Sequence, residues 1–221
     1  MEAAVAQGGS SGPASRGVVQ VFNRFFQNTR KPQGFLGQMM LRGMNAGHAN
    51  LAAWGFSFLT IPRGAHVLDV GCGGGANIAW MLKNAPDSVV DGLDYSAKSV
   101  AFSCRTNAAQ LGKRCTIRQG DVARLPYPDS SLDYVTAFET VYFWPDLDVA
   151  FGEIWRVLKP GGVLFVCCES DDPSDTAWTD RIEGMTIHRG EDLKQHLLQI
   201  GFQTVEVRHN GKGWMCLTAI R

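Results

Sequence analysis

A chain of 221 residues is enough for one α/β domain with a full core and a modest cover over it. Its 21 basic residues are matched by 21 acidic ones, so the broad positive field of a nucleic-acid binder is missing. No apolar run is long enough to span a bilayer, and the N-terminal stretch lacks the apolar centre of a secretory signal.

Met1 to Gly17 is rich in Ala, Gly and Ser and reads as a disordered tail. Val18, Val21, Phe22, Phe25 and Phe26 then recur at helical spacing, until Pro32 and Gly34 break the pattern. A second helical stretch carries Phe35, Leu36, Met39, Met40 and Leu41, and a third is predicted from about Ala46 to Phe58. Residues 18–62 contain no strand of their own, so they are expected to form a helical lid on a domain covering residues 63–221.

The centre of the chain is His66 to Asn77, reading HVLDVGCGGGAN. His66 to Val70 has the apolar density of a buried parallel strand, and it stops in a run of four glycines. Ile78, Ala79, Met81 and Leu82 then repeat at helical spacing. A strand that ends in glycine and restarts as a helix presents bare backbone amides at a helix N-terminus, where a ligand can approach closely. Asp69 stands two residues before the first of these glycines, placed to brace the loop. Asp94 closes the next apolar run, about 20 residues past the loop, where an acid can accept both hydroxyls of a ribose.

Ser96 to Leu111 reads as a helix with Ser96 as its N-cap, and Cys115 to Arg118 as a third strand leading to Gly120-Asp121-Val122. A fourth strand, Tyr134 to Ala137, runs into Phe138-Glu139-Thr140-Val141-Tyr142-Phe143-Trp144. Asp146 to Leu158 carries Leu147, Phe151, Ile154 and Leu158 on one helical face, and Lys159-Pro160-Gly161-Gly162 is predicted as a turn before a fifth strand, Val163 to Cys168. Asp180 to Met185 is compatible with a short helix, and Arg189 to Ile200 with a longer one stopped by Gly201. Two last strands, Gln203 to Arg208 and Gly213 to Ile220, flank a turn at Asn210-Gly211. The six cysteines show neither a CxxC pair nor zinc-like spacing, which reads as reduced, buried thiols in a cytoplasmic protein with no metal.

Taken together, the D-x-G-x-G-x-G loop, Asp94 and Gly120-Asp121-Val122, in that order, resemble the class I S-adenosylmethionine (SAM)-dependent methyltransferases. The similarity is to the small-molecule enzymes related to the ubiquinone and menaquinone C-methyltransferases. Leu125 to Val135 and the Lys-Pro-Gly-Gly segment resemble further stretches of that family, and Met44 to His48 with Trp54-Gly55 resembles the lead-in of some bacterial members. The resemblance implies a Rossmann-like sheet of seven strands in the order 3-2-1-4-5-7-6, the seventh antiparallel, with helices on both faces. It also implies cofactor contacts from Asp69, Gly71, Cys72, Gly73, Gly75 and Asn77, then Asp94, Tyr95 and Ser96, then Gly120, Asp121 and Val122, and finally Phe138 and Glu139. Ligands of open α/β sheets bind beyond the carboxyl ends of the strands, so the segment after the fourth strand should face the reacting methyl group.

Glu139 is then a candidate to hold the amino group of SAM, to accept a proton, or to orient a cationic substrate. His48 and Tyr142 join it as catalytic candidates, and Tyr142, Trp144 and His48 as substrate contacts; His48 can equally serve as a helix cap. The expected partner is a small-molecule acceptor, with no nucleic acid and no membrane, and a homodimer is compatible with the sequence. Two other readings fit the same loop: a SAM-binding subunit without catalysis, and a methyltransferase for protein or RNA. An NAD(P) oxidoreductase would need a Tyr-x-x-x-Lys pair, which is not evident.

Overall fold

The computed structural model describes residues 48–221; the expected tail and the first two helices of the 18–62 segment lie outside the described residues. Seven strands form one sheet: β1 (His66–Val70), β2 (Val89–Asp94), β3 (Ile117–Gln119), β4 (Leu132–Phe138), β5 (Leu158–Cys168), β6 (Thr204–His209) and β7 (Met215–Ile220). Their spatial order is β3-β2-β1-β4-β5-β7-β6. All neighbours through β5 are parallel, and β7 runs against both β5 and β6. This is the expected topology, including the single reversed strand.

Among the described residues five helices cover the sheet: α1 (Ala49–Phe56), α2 (Ala76–Asn84), α3 (Ala97–Thr106), α4 (Leu147–Val157) and α5 (Gly190–Ile200). Alternation along the strands sends successive side chains to opposite faces. Val67 and Val90 join Leu51 and Phe56 of α1 and Ile78 and Met81 of α2 in one apolar cluster. Leu68 and Leu93 join Phe151 and Ile154 of α4 and Leu193 and Leu197 of α5 in the other. Both faces of the central strands are therefore dry, which explains why β1 reads as an apolar run rather than as alternation. No helix among the described residues is long and apolar enough to cross a membrane.

Three local expectations are corrected. The helix expected to reach Leu111 stops at Thr106, because the Asn107 side-chain amide donates to the carbonyls of Ser103 and Gly75, both at 3.0 Å. This cap ties the end of α3 to the glycine loop. The Lys159-Pro160-Gly161-Gly162 stretch belongs to β5 and is not a turn before it. Its pairing persists because Gly161 N–H donates to the Arg221 carbonyl at 2.9 Å and Arg221 N–H donates back to Gly162 at 3.0 Å. Residues 180–185 form turns and no helix. Ser96 caps α3 as expected, accepting from Ser99 N–H, and Asp146 caps α4, accepting from Val149 N–H.

Candidate functional site

The geometry of the site begins where β1 runs out. Gly71 N–H and Cys72 N–H both donate to the Leu93 carbonyl at the end of β2, at 2.8 and 3.1 Å, so the loop is pinned to the neighbouring strand as it turns. Gly71 (φ +70°) and Gly75 (φ +77°) sit in the left-handed region. Neither has room for a side chain. A Cβ on Gly71 would lie 2.1 Å from Thr140 Oγ1, and one on Gly75 would lie 2.2 Å from Ser103 Oγ. The loop is thus wedged between the segment after β4 and the buried side of α3.

Beyond the carboxyl ends of the strands lies a cavity of about 510 Å³. Gly71, Cys72, Gly73 and Asn77 line it from the loop, Asp94 and Tyr95 from the end of β2, and Gly120, Asp121 and Val122 from the end of β3. Phe138, Glu139 and Trp144 line it from the segment after β4, and His48 from the start of α1. Thirteen residues singled out from sequence are therefore gathered around one space.

Asp94 organises the loop as well as facing the cavity. Its two carboxylate oxygens accept from Gly73 N–H and Ser96 N–H, each at 2.8 Å. Burial pushes its carboxyl above the usual range, and those backbone donors pull it back. Each oxygen keeps spare acceptor capacity for a hydroxyl. Asp121 Oδ1 accepts from Ala123 N–H at 2.9 Å.

Four expected site residues do not line the cavity. Asp69 is buried in β1, and its Oδ1 accepts from Thr136 Oγ1 of β4 at 2.7 Å, so it ties two strands and does not brace the loop. Its Oδ2 has no hydrogen-bond partner, and burial raises the carboxyl to about 7. Gly75 is the N-cap of α2, and Ser96 is a buried cap of α3. Tyr142 is also buried, its hydroxyl donating to the Ser170 carbonyl at 3.1 Å and accepting from Ser170 N–H at 3.0 Å. Burial drives that phenol far above its ordinary range. The short 3₁₀ turn Val141–Phe143 points Tyr142 inward and gives Phe143 the cavity wall instead.

Other cavity residues were not anticipated. Leu51, Ala52 and Phe56 of α1 contribute to the wall, and Phe56 stacks on Trp80 of α2 with ring centroids 3.8 Å apart. The apolar spacing of α1 announces a buried helix, and nothing in it distinguishes core from cavity wall.

Glu139 has the most unusual surroundings. It adopts φ +57°, which a non-glycine residue rarely takes. Its N–H donates to the Cys167 carbonyl of β5 at 2.9 Å, fixing the backbone as β4 ends. Oε1 accepts from Glu169 N–H, and Tyr142 Oη, whose proton goes to the Ser170 carbonyl, lies 3.4 Å away. Burial raises the carboxyl to about 8, with Glu169 adding to the effect. Glu139 Oε2 lies 3.8 Å from His48 Nε2, and the same ring nitrogen lies 3.8 Å from Glu169 Oε2. Burial lowers the pKa of His48, opposed by Glu169. The sequence shows no ligand-like spacing, yet the fold brings these three groups within 4.8 Å of one another.

Residues 68–166 match the protein-family model described as a methyltransferase domain. The chain is 30% identical to the sterol 4-C-methyltransferase of Caenorhabditis elegans over 145 residues, covering 61% of this chain and 39% of that protein. It is 38% identical to the demethylmenaquinone methyltransferase of Lactiplantibacillus plantarum over 116 residues, covering 51% and 48% respectively. The chain thus spans less than half the length of these curated relatives. Among solved structures, the Haloferax volcanii complex of the Trm112 methyltransferase activator with a methyltransferase superposes with a TM-score of 0.74 at 20% identity, covering 82% of this chain and 92% of that one. These matches identify a methyltransferase domain at residues 68–166, in agreement with the strand order and the glycine loop.

Proposed function

We propose that this protein transfers the methyl group of SAM to a small-molecule acceptor, leaving S-adenosylhomocysteine. The observation that carries the reading is a cavity bordered by a glycine-rich loop and by carboxylates at the ends of two successive strands. A Cβ on Gly73 would meet nothing closer than 4.0 Å, so the loop backbone stands open to a ligand there. Asp94 then accepts ribose hydroxyls, and Asp121 with Val122 borders the adenine. SAM, when bound, supplies a methyl group on a sulfonium, which is already an excellent leaving group. The chain's own work is alignment and exclusion of water. Phe138, Phe143 and Trp144 provide the apolar walls, and Glu139 and His48 are the ionisable groups beside them. In this reading α1 is a cover on the cavity, since it forms part of the wall ahead of the domain at 63–221.

Calorimetric titration with S-adenosylhomocysteine tests the proposal. Wild type should bind at one site per chain, and Asp94→Asn should weaken binding about tenfold or more, the cost of a charged hydrogen-bond acceptor. Absence of saturable binding by wild type would overturn the proposal.

A further inference from the structure

The cluster of Glu139, Glu169 and His48 indicates what kind of acceptor the cavity takes, an inference that rests on the methyltransferase reading. We propose that the acceptor is an amine, held as its ammonium by Glu139, Glu169 and His48 before methylation at nitrogen.

Three separate elements supply the cluster: the residue before α1, the residue after β4 and the residue after β5. Glu139 Oε1 is engaged by Glu169 N–H, while Oε2 faces His48 Nε2 at 3.8 Å. Glu139 and His48 line the cavity, and Glu169 reaches the same imidazole nitrogen at 3.8 Å. Two ionised carboxylates this close repel unless a cation lies between them; without one the buried Glu139 keeps its proton, and a bound cation displaces it. Burial keeps the imidazole of His48 neutral, so it offers a lone pair and no charge of its own. No Lys or Arg lines the cavity among the described residues. The positive charge therefore comes with a ligand; loss of S-adenosylhomocysteine affinity in Glu139→Gln would assign it to the amino group of the cofactor and overturn the inference.

A divalent ion about 2.1 Å from tetrahedral ligands holds them about 3.4 Å apart. An ammonium about 2.8 Å from tetrahedral acceptors holds them about 4.6 Å apart. Here two separations are 3.8 Å and none exceeds 4.8 Å, between the two arrangements, so a metal titration belongs in the test. Phe138, Phe143 and Trp144 line the same space with aromatic surface suited to the carbon skeleton of an organic cation.

The chemistry balances. The bound ammonium gives one proton to the Glu139 carboxylate, freeing the nitrogen lone pair. That nitrogen forms a bond to the methyl carbon as the carbon–sulfur bond breaks, with the electron pair staying on sulfur. The product leaves as the methylated ammonium, and Glu139 returns its proton to solvent.

The test uses three probes of one shape: phenethylamine, phenethyl alcohol and phenethyl phosphate, titrated calorimetrically into the full chain with and without S-adenosylhomocysteine. The amine should bind about tenfold tighter than the alcohol, and the phosphate not measurably. Glu139→Gln should reduce the preference for the amine to within about threefold while S-adenosylhomocysteine affinity is retained. Glu169→Gln, at a half-exposed side chain, should reduce the preference in the same direction and keeps the test open if the first variant fails to fold. Equal binding of the three probes, or binding of none at millimolar concentration, would overturn the inference. So would one Mn²⁺ bound per chain and lost in Glu139→Gln, which would make the cluster a metal site. Because S-adenosylhomocysteine binding is read separately, failure of the methyltransferase reading is distinguishable from failure of this one.

Discussion

Gly71→Ala should damage the fold and the site together. The new methyl would sit 2.1 Å from Thr140 Oγ1, 2.6 Å from Thr140 Cβ and 3.1 Å from Thr140 Cγ2, on a backbone at φ +70°. Left-handed geometry costs a residue with a Cβ about 1–2 kcal/mol. Forcing a methyl into a filled contact adds about 1–3 kcal/mol. The total, about 2–5 kcal/mol, corresponds to a fall in Tm of about 4–20 °C for a domain of this size. Since Gly71 itself lines the cavity, relief of the clash also shifts the loop backbone, and S-adenosylhomocysteine affinity should fall in parallel. Thermal unfolding by circular dichroism, with calorimetry on the same samples, measures both. The companion variant Thr140→Gly removes the three atoms nearest the new methyl, so the double variant should recover about 1–3 kcal/mol and leave mainly the backbone cost. Melting of Gly71→Ala within about 2 °C of wild type, or strict additivity in the double variant, would refute the reasoning.

Burial holds the Glu139 carboxyl at about 8 against an ordinary value of 4.5, so its neutral form suits the fold. That contribution is complete below about pH 4.5 and lost as pH rises through about 8, and Glu139→Gln removes the dependence. The Tm of the variant minus that of wild type should therefore grow across this window, whereas a constant gap would show that the carboxyl titrates normally. Asp69, raised to about 7, titrates in both proteins and cancels in the difference. Tyr142→Phe should cost about 1–2 kcal/mol by leaving the Ser170 backbone unpaired, with S-adenosylhomocysteine affinity unchanged. A clear loss of affinity would bring that hydroxyl back to the ligand. Asn107→Ala should lower stability and loosen the glycine loop, seen as faster amide exchange at Gly75 to Asn77; unchanged exchange would separate the helix end from the loop.

How much the sequence discloses depends on whether the signal is local. The glycine run, Asp94 and Gly120-Asp121 are legible because strand-to-loop transitions at those points need those residue types whatever surrounds them. Strand order follows from the same motifs through the family resemblance. The inward turn of Tyr142 is not legible, since three residues of 3₁₀ turn have no periodicity that tells Tyr142 from Phe143. Asp69 misled for a related reason: its position suggests a loop brace, and only the pairing of β1 with β4 shows Thr136 beside it. Likewise Glu139 stands out as an acid after a strand, while its company with His48 and Glu169 exists only once β4, β5 and α1 are side by side. Pro160 and the two glycines after it suggest a turn by composition, and the backbone of Arg221 makes them a strand.

The placement of β7 between β5 and β6 has a consequence for how the sheet is completed. β6 precedes β7 in the chain, but it reaches the rest of the sheet only through β7. Until Met215 to Ile220 takes its place, β5 is an open edge along Val163 to Cys168, a run of apolar residues that the finished protein buries almost entirely. Such an edge is a template for another chain. The strand that sets Glu169 beside His48 is therefore most vulnerable to mispairing during the interval before the last strand closes over it.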